Sequence, residues 1–296
     1  MALAQRLLEI PAVRRNDRLR TFITAAWLGW QIETNWADPL IFIIYFVARP
    51  IAALAILVVM YSIIAADSIG TPFFAYVYLG SALYLLTSQI IVGISWVVIE
   101  DREQYRVAKQ LHTAPIDGYS YLVGRGMARF IVGVLSVLVT VPFGVLIFGI
   151  PVTLAGIDFP LLIVSTVFGL TAMAALGVMI GSFTMQVSRQ VWFIGDSISG
   201  ALYLLTGAVF PIDLLPDFLR PLSYILPSTY WLELARRALL GENAIHFQEI
   251  SALDSGTMLG ILIGMSLLLL LASVFVYRWS MHRAKVRGVL DMETNF

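Results

Sequence analysis

The residues that usually carry covalent chemistry are scarce in this 296-residue chain and poorly spaced for it. It has no cysteine, which removes thiol catalysis, disulfides and cysteine-based metal sites. Its three histidines, His112, His246 and His282, lie far apart, and no His-Glu-x-x-His pair is present to hold a catalytic zinc. The two lysines, Lys109 and Lys285, follow no glycine-rich loop, so there is no P-loop to cradle phosphates. A serine nucleophile inside an apolar segment would need a histidine beside it, and no apolar segment contains one. An aspartyl pair fails too, because Asp196 is the one clear carboxylate in such a segment. The expectation is a chain that is not itself an enzyme and binds no metal or cofactor, with no nucleic-acid partner.

Two charges nevertheless sit within apolar runs. Arg49 falls about ten residues into the first and is followed by Pro50, and Asp196 falls about seven residues into the fifth. Each side chain can snorkel to a headgroup layer. Charges at such depth are costly, however, and usually face a partner or a polar path. They therefore predict either an Arg49–Asp196 pair or a shared polar cavity. Small residues recur beside them: Gly177 and Gly181 form a GxxxG, and Gly195 and Ser199 repeat the spacing, which suits close helix contacts. Ser95, Ser197 and Ser199 read first as serines bonded to their own backbone.

These residues must be positioned by spanning helices. The chain is 59% hydrophobic and only 13% charged, about half the charge of a soluble domain. Six stretches are long enough to cross a bilayer: 39–65, 72–98, 123–150, 159–183, 190–212 and 256–279. They are continuous rather than alternating, which predicts helices and not a β-barrel. Net charge is zero, yet 15 of the 19 basic residues fall on one side of this topology. They are Arg6, Arg14, Arg15, Arg18, Arg20, Arg102, Arg106, Lys109, Arg125, Arg129, Arg189, Arg278, Arg283, Lys285 and Arg287. That asymmetry predicts both termini in the cytoplasm. The basic start lacks a long apolar core, so no cleavable signal peptide is expected.

Three other segments carry information. Over 20–38, Ile23, Trp27, Trp30 and Thr34 share a helical face, as in an amphipathic helix lying in the headgroup region. Over 99–116, Glu100, Asp101 and Glu103 precede Arg106 and Lys109, matching a helix dipole. There Tyr105, Ala108 and Leu111 form a narrow apolar stripe, and Pro115 ends the helix. This is either a solvated linker or a helix that docks into a groove on a partner. Residues 211–241 hold Pro211, Pro216, Pro221 and Pro227, so they form no single helix, but they are too apolar for a free loop. Short broken helices re-entering the membrane fit both facts. Trp231, Leu234, Ala235 and Ala238 would be their buried face, and Glu233 would pair with Arg236 or Arg237.

Two runs carry a family likeness. One is E-D-R-E-x-Y-R-x-x-K-x-L-x-x-A-P-I over 100–116, and the other is P-I-x-x-L-P-x-x-L-x-x-L-x-x-x-L-P-x-T-Y from Pro211 to Tyr230, with Arg236 beyond it. With the order of spans, nearly the whole chain resembles the permease subunit of a type-2 ATP-binding-cassette exporter, the group that moves drugs, glycans and lipids. The resemblance implies one all-α transmembrane permease domain over 1–296 with six spans. Residues 1–38 would be a cytoplasmic tail and connecting helix. Residues 99–116 would carry the coupling helix and 211–241 the extracellular re-entrant segment. It implies a separate nucleotide-binding ATPase subunit holding ATP and Mg, a second permease subunit (a homodimer in the first instance), and a lipid bilayer, such as a prokaryotic inner membrane. Glu100, Glu103, Gln104, Tyr105, Arg106, Lys109 and Leu111 would couple to the ATPase. Spans one, two and five would line the route, with Arg49, Asp196, Ser199, Tyr203, Phe210 and Pro211 along it or at its gate. Arg49 departs from the family's usual first span and would suit an anionic or amphipathic substrate. The rivals are a stand-alone ion-coupled carrier, for which internal repeats are missing, and an intramembrane enzyme, for which the catalytic clusters are missing.

Overall fold

The structure, a computed structural model, describes residues 16–35, 38–64, 69–186, 193–241 and 249–288. The expected tail at 1–15 with Arg6, Arg14 and Arg15, the first residues of the stretch at 190–212, Arg189, His246 and the C-terminal residues 289–296 lie outside the described residues. No strand occurs among the described residues. The elements in order are α1 (Asp17–Thr34), α2 (Pro39–Ile64), α3 (Pro72–Ile99), a π-helical turn (Glu100–Gln104), α4 (Ala108–Thr113), α5 (Gly118–Phe148), α6 (Phe159–Thr184) and α7 (Ile194–Leu205). There follow a 3-10 turn (Ile212–Leu214), α8 (Arg220–Tyr224), α9 (Pro227–Leu240), a second 3-10 turn (Glu249–Ala252) and α10 (Ser255–Arg287).

Five helices are long and apolar enough to span a membrane: Leu40–Ile63, Pro72–Gln104, Gly118–Phe148, Phe159–Thr184 and Ser255–Arg287. Polar N-caps mark where four of them begin. Thr71, Asp117, Asp158 and Asp254 accept backbone N–H bonds at the starts of α3, α5, α6 and α10, satisfying donors that a helix start leaves open. Among the described residues, the expected fifth stretch, 190–212, is helical as α7, 12 residues long. At 1.5 Å per residue that described part is about 18 Å long. The chain unwinds at Gly207, whose φ of 71° is left-handed, and Pro211 cannot rejoin the helix.

The central helix is α3, which packs against α5, α6, α7 and α9. Phe74, Tyr78, Leu79, Ile91 and Ile99 on it are fully buried. Gly177 of α6 lies 3.1 Å, measured from where a Cβ would stand, from the Ile91 carbonyl of α3. The GxxxG pair is thus used for packing within the chain, and a Cβ at Gly177 would need α3 to give way by a few tenths of an ångström. Beyond α6 lie α9 and α10, and α2 borders α3 and α5. Its outer face, with Ile43, Ile44, Ile56, Val59 and Ile63 exposed, is the apolar surface a lipid-facing helix presents.

The amphipathic helix expected over 20–38 is α1, capped by Asn16. It lies against the first turns of α5. The face that makes the close contact carries Ala25 and Gly29, both buried. The stripe of Ile23, Trp27, Trp30 and Thr34 is half-buried beside it. Backbone approach explains the difference, since Gly29 sits over the Arg125 carbonyl and Gly124 sits under the Phe22 carbonyl.

The coupling helix expected within 99–116 is not continuous. The N–H of Tyr105 donates to the Glu100 carbonyl at 2.8 Å and that of Val107 to the Asp101 carbonyl at 2.9 Å. These wide loops close the end of α3, and Arg106 takes a left-handed φ of 55°. Only six residues of helix follow as α4. Residues 211–241 do form short broken helices. Trp231, Leu234, Ala235 and Ala238 of α9 are fully buried.

Candidate functional site

A cavity of about 360 Å³ opens between α2, α3 and α7. Ala53 and Leu54 line it from α2, Ser81, Tyr84, Leu85 and Ser88 from α3, and Asp196, Ser199, Gly200 and Tyr203 from α7. The polar members form two matched stripes. Ser81, Tyr84 and Ser88 recur at i, i+3 and i+7 on α3, and Asp196, Ser199 and Tyr203 recur at the same spacing on α7, so each set shares one helical face. The stripes bond to each other. The Tyr84 hydroxyl donates to the Ser199 carbonyl at 2.5 Å, Ser199 Oγ to Ser88 Oγ at 2.9 Å, and the Tyr203 hydroxyl to Ser81 Oγ at 3.0 Å. The two tyrosine rings lie 4.9 Å apart between centroids. Asp196 is exposed at one end of this ladder.

Of the expected pathway residues, Asp196, Ser199 and Tyr203 come together here. Arg49 does not line the cavity, and no ion pair joins it to Asp196 among the described residues. It is close enough to Glu33 of α1 to favour that carboxylate's charged form slightly. Phe210 and Pro211 lie beyond the end of α7, Phe210 half-buried and Pro211 buried. Ser95, expected to bond its own helix, donates to the Val92 carbonyl at 2.8 Å.

Beyond α7, Arg236 of α9 closes the unwound turn. One guanidinium nitrogen donates to the Gly207 carbonyl at 2.6 Å and lies 3.3 Å from the Ala208 carbonyl. The guanidinium also stacks 3.8 Å over the Tyr76 ring. Glu233 lies 3.7 Å from Arg236 and 3.4 Å from Arg237, as their spacing requires. Room for this arginine comes from Gly80, where any Cβ would collide with it.

At the other end of α3, the expected coupling residues divide. Glu100 faces inward and pairs with Arg125 at 2.8 Å and Arg129 at 3.2 Å. Arg125 also reaches Asp101 at 3.6 Å, and Arg129 reaches Glu33 of α1 at 2.6 Å. Glu103 pairs with Arg102 at 2.8 Å, both largely buried. Leu111 turns into the body of the protein, lining a small cavity with Val98, Asp101 and Tyr277. Gln104, Tyr105 and Arg106 are exposed. The Tyr105 ring lies 5.8 Å from the Arg125 guanidinium, joining the exposed turn to the ion pairs beneath it. Lys109 belongs to α4 by its backbone, and its side chain lies outside the described residues. No group of residues suited to holding a metal occurs among the described residues.

Residues 61–279, which hold α3 to α9 and most of α10, match the family described as ABC-2 family transporter protein. The chain belongs to that family. No curated protein matches it. As an ABC-2 family member it is a multi-pass, all-helical membrane protein and a permease subunit of an ABC transporter.

In this ABC-2 permease, Tyr84 and Tyr203 were legible as aromatics able to line an amphipathic pathway, but Ser81, Ser88 and the ion-pair partners of Arg125 and Arg129 were not singled out as such. The α3 stripe was legible as three hydroxyl residues at helical spacing in an otherwise apolar run. Arg125 and Arg129 were legible as an i, i+4 pair able to face the acidic run at 100–103. Nothing local pointed to Tyr76 as the partner of Arg236, or to Glu33 as the partner of Arg129.

Proposed function

We propose that this ABC-2 permease is the transmembrane subunit of an ATP-driven exporter, working as a homodimer with two copies of a separate ATPase subunit. ATP and Mg belong to that partner, whose docking surface is the turn and short helix over 104–113. Gln104, Tyr105 and Arg106 make its exposed part, with Lys109 beside them. The excess of basic residues on their side puts both termini in the cytoplasm, and the membrane is a prokaryotic inner membrane. The substrate is amphipathic and passes along the hydroxyl-lined cavity, while the broken helices over 211–241 close the far side of the route.

One observation carries this reading. The exposed turn at 104–106 continues directly from α3, rests through Tyr105 on Arg125, and is anchored by ion pairs to α1 and α5. A push on that turn therefore reaches the helix that lines the cavity. The test is to purify the tagged chain from its native membrane beside a variant with Gln104, Arg106 and Lys109 changed to alanine, with mass spectrometry of what accompanies each. A P-loop ATPase that accompanies the wild type and is lost from the variant supports the reading. Wild type that arrives alone, yet moves substrate in liposomes, replaces it with an autonomous carrier.

A further inference from the structure

The charge lining the α2–α3–α7 cavity is of one sign. Among the described residues that line it, Asp196 is the only one charged at neutral pH, and every other polar side chain there carries a hydroxyl. Asp196 is exposed and has no ion-pair partner among the described residues. It does stand in the first turn of α7, where a helix start offers about half a positive charge. A full negative charge outweighs that, so the mouth of the cavity attracts cations. Arg49, the other charge expected along the route, does not line this cavity.

The remaining lining is consistent with that sign. Tyr84 and Tyr203 present aromatic rings, whose faces are negative and attract organic cations. Their hydroxyls are already bonded across the two stripes, Tyr203 to Ser81 and Tyr84 to Ser199, which in turn donates to Ser88. A substrate that needed many new hydrogen bonds, such as a glycan, would have to break that ladder. Ala53, Leu54 and Leu85 complete an apolar wall. The volume lies within the range of small-molecule pockets, about 300–1,000 Å³.

We infer that this cavity selects amphipathic organic cations, with Asp196 binding the positive centre and the Tyr84–Tyr203 pair and the α2 wall taking the apolar groups. The inference rests on the reading of the cavity as part of the transport route. It excludes anionic lipids and acidic glycans as preferred cargo.

Tetraphenylphosphonium and tetraphenylborate match in shape and differ in charge sign, and the chain has no cysteine of its own. A cysteine at Gly200 therefore reports the cavity alone, and its Cβ would meet nothing within 4 Å. A second reporter at Ala53, exposed on the facing wall, repeats the reading. The purified full-length chain in lipid nanodiscs is reacted with N-ethylmaleimide with and without each ion. Tetraphenylphosphonium is expected to slow labelling several-fold while tetraphenylborate leaves it unchanged. Asp196→Asn is expected to raise the half-protecting concentration of the cation about tenfold, equivalent to about 1.4 kcal/mol. Asp196→Glu should keep most of the protection. Equal protection by both ions, or protection unchanged in Asp196→Asn, overturns charge selection but leaves the cavity a binding site. Free labelling with no protection by either ion overturns both the inference and the cavity's place on the route. The permease reading stands apart from either result, since it is judged by the accompanying ATPase.

Discussion

The two ends of α3 are each held by buried charge, but in different ways. At its C-terminal end Glu33, Arg129, Glu100, Arg125 and Asp101 alternate in sign and join side chains from α1, the π-helical turn and α5. At its N-terminal end one arginine, Arg236, binds the open carbonyls of an unwound helix end and lies on an aromatic face. The first arrangement is a chain of exchangeable pairs, in which Arg129, Glu100 and Arg125 each have two partners. The second is a fixed cap, because backbone carbonyls cannot change sides without refolding the turn at Gly207. A network of the first kind can shift with a moving neighbour, whereas a cap of the second kind resists motion. That contrast suits the roles proposed above, one end receiving force from the ATPase and the other closing the route.

The largest effect is expected from cutting each cluster at its arginine. The Arg125 side chain is 2% exposed and stands between two carboxylates. Arg125→Met leaves Glu100 with only Arg129 and takes from Asp101 its 3.6 Å ion pair. Removing one member of a buried ion pair typically costs about 3–5 kcal/mol, and this site belongs at the upper end. Arg236→Met removes the cap on Gly207 and Ala208 but leaves Glu233 with Arg237, so its cost belongs at the lower end. Thermal midpoints of the purified variants check the order. Arg236→Met unfolding first would mean that the capped carbonyls outweigh the network.

A smaller effect separates the two ends by pH. Burial of Glu33 raises its pKa above the ordinary value of 4.5, with the Arg129 guanidinium opposing and the Glu100 carboxylate adding to the rise. A raised native pKa means that the folded state binds the proton more readily than the unfolded chain. Stability contributed by this group therefore grows as pH falls through the native pKa toward 4.5, and is lost as pH rises. Compared with Glu33→Gln, the wild type should gain in thermal midpoint between pH 7 and 5. The same scan on Glu233→Gln asks whether the capped end shares the behaviour. A wild-type midpoint that falls relative to Glu33→Gln on acidification would reverse the assigned direction.

What the sequence makes legible follows the range of the interactions. The buried face of α9 could be read because Trp231, Leu234, Ala235 and Ala238 repeat at helical spacing, and Glu233 met Arg236 and Arg237 because they are one turn away. Asp196, Ser199 and Tyr203 came together for the same reason. Arg49 and Asp196 were matched by depth alone, and depth does not fix which way a helix turns its side chains. The ion pairs of Glu33 join parts of the chain far apart in sequence, so only packing decides them. The end of α7 was not legible, because the run of apolar residues continues past the point where Gly207 and the Arg236 cap end the helix. The break at Arg106 was hidden for a related reason: neither glycine nor proline stands at the turn to announce it.

That break supplies the smallest expected change in stability and the sharpest test of the two ends. Arg106 holds a φ of 55°, a conformation that costs an L-residue roughly 1–2 kcal/mol and glycine almost nothing. Left-handed helix ends are usually glycine for this reason. Arg106→Gly should therefore leave the fold intact and raise its stability slightly, by no more than about 1 kcal/mol. It also removes an exposed charge from the turn assigned to the ATPase. If that charge contributes to docking, the variant keeps or raises its thermal midpoint while retaining less ATPase on purification. Arg106→Lys, which keeps the charge and the strain, should retain it. A glycine variant that binds the ATPase as well as the wild type would show that the turn's backbone shape, braced on Tyr105 and Arg125, is what the partner reads.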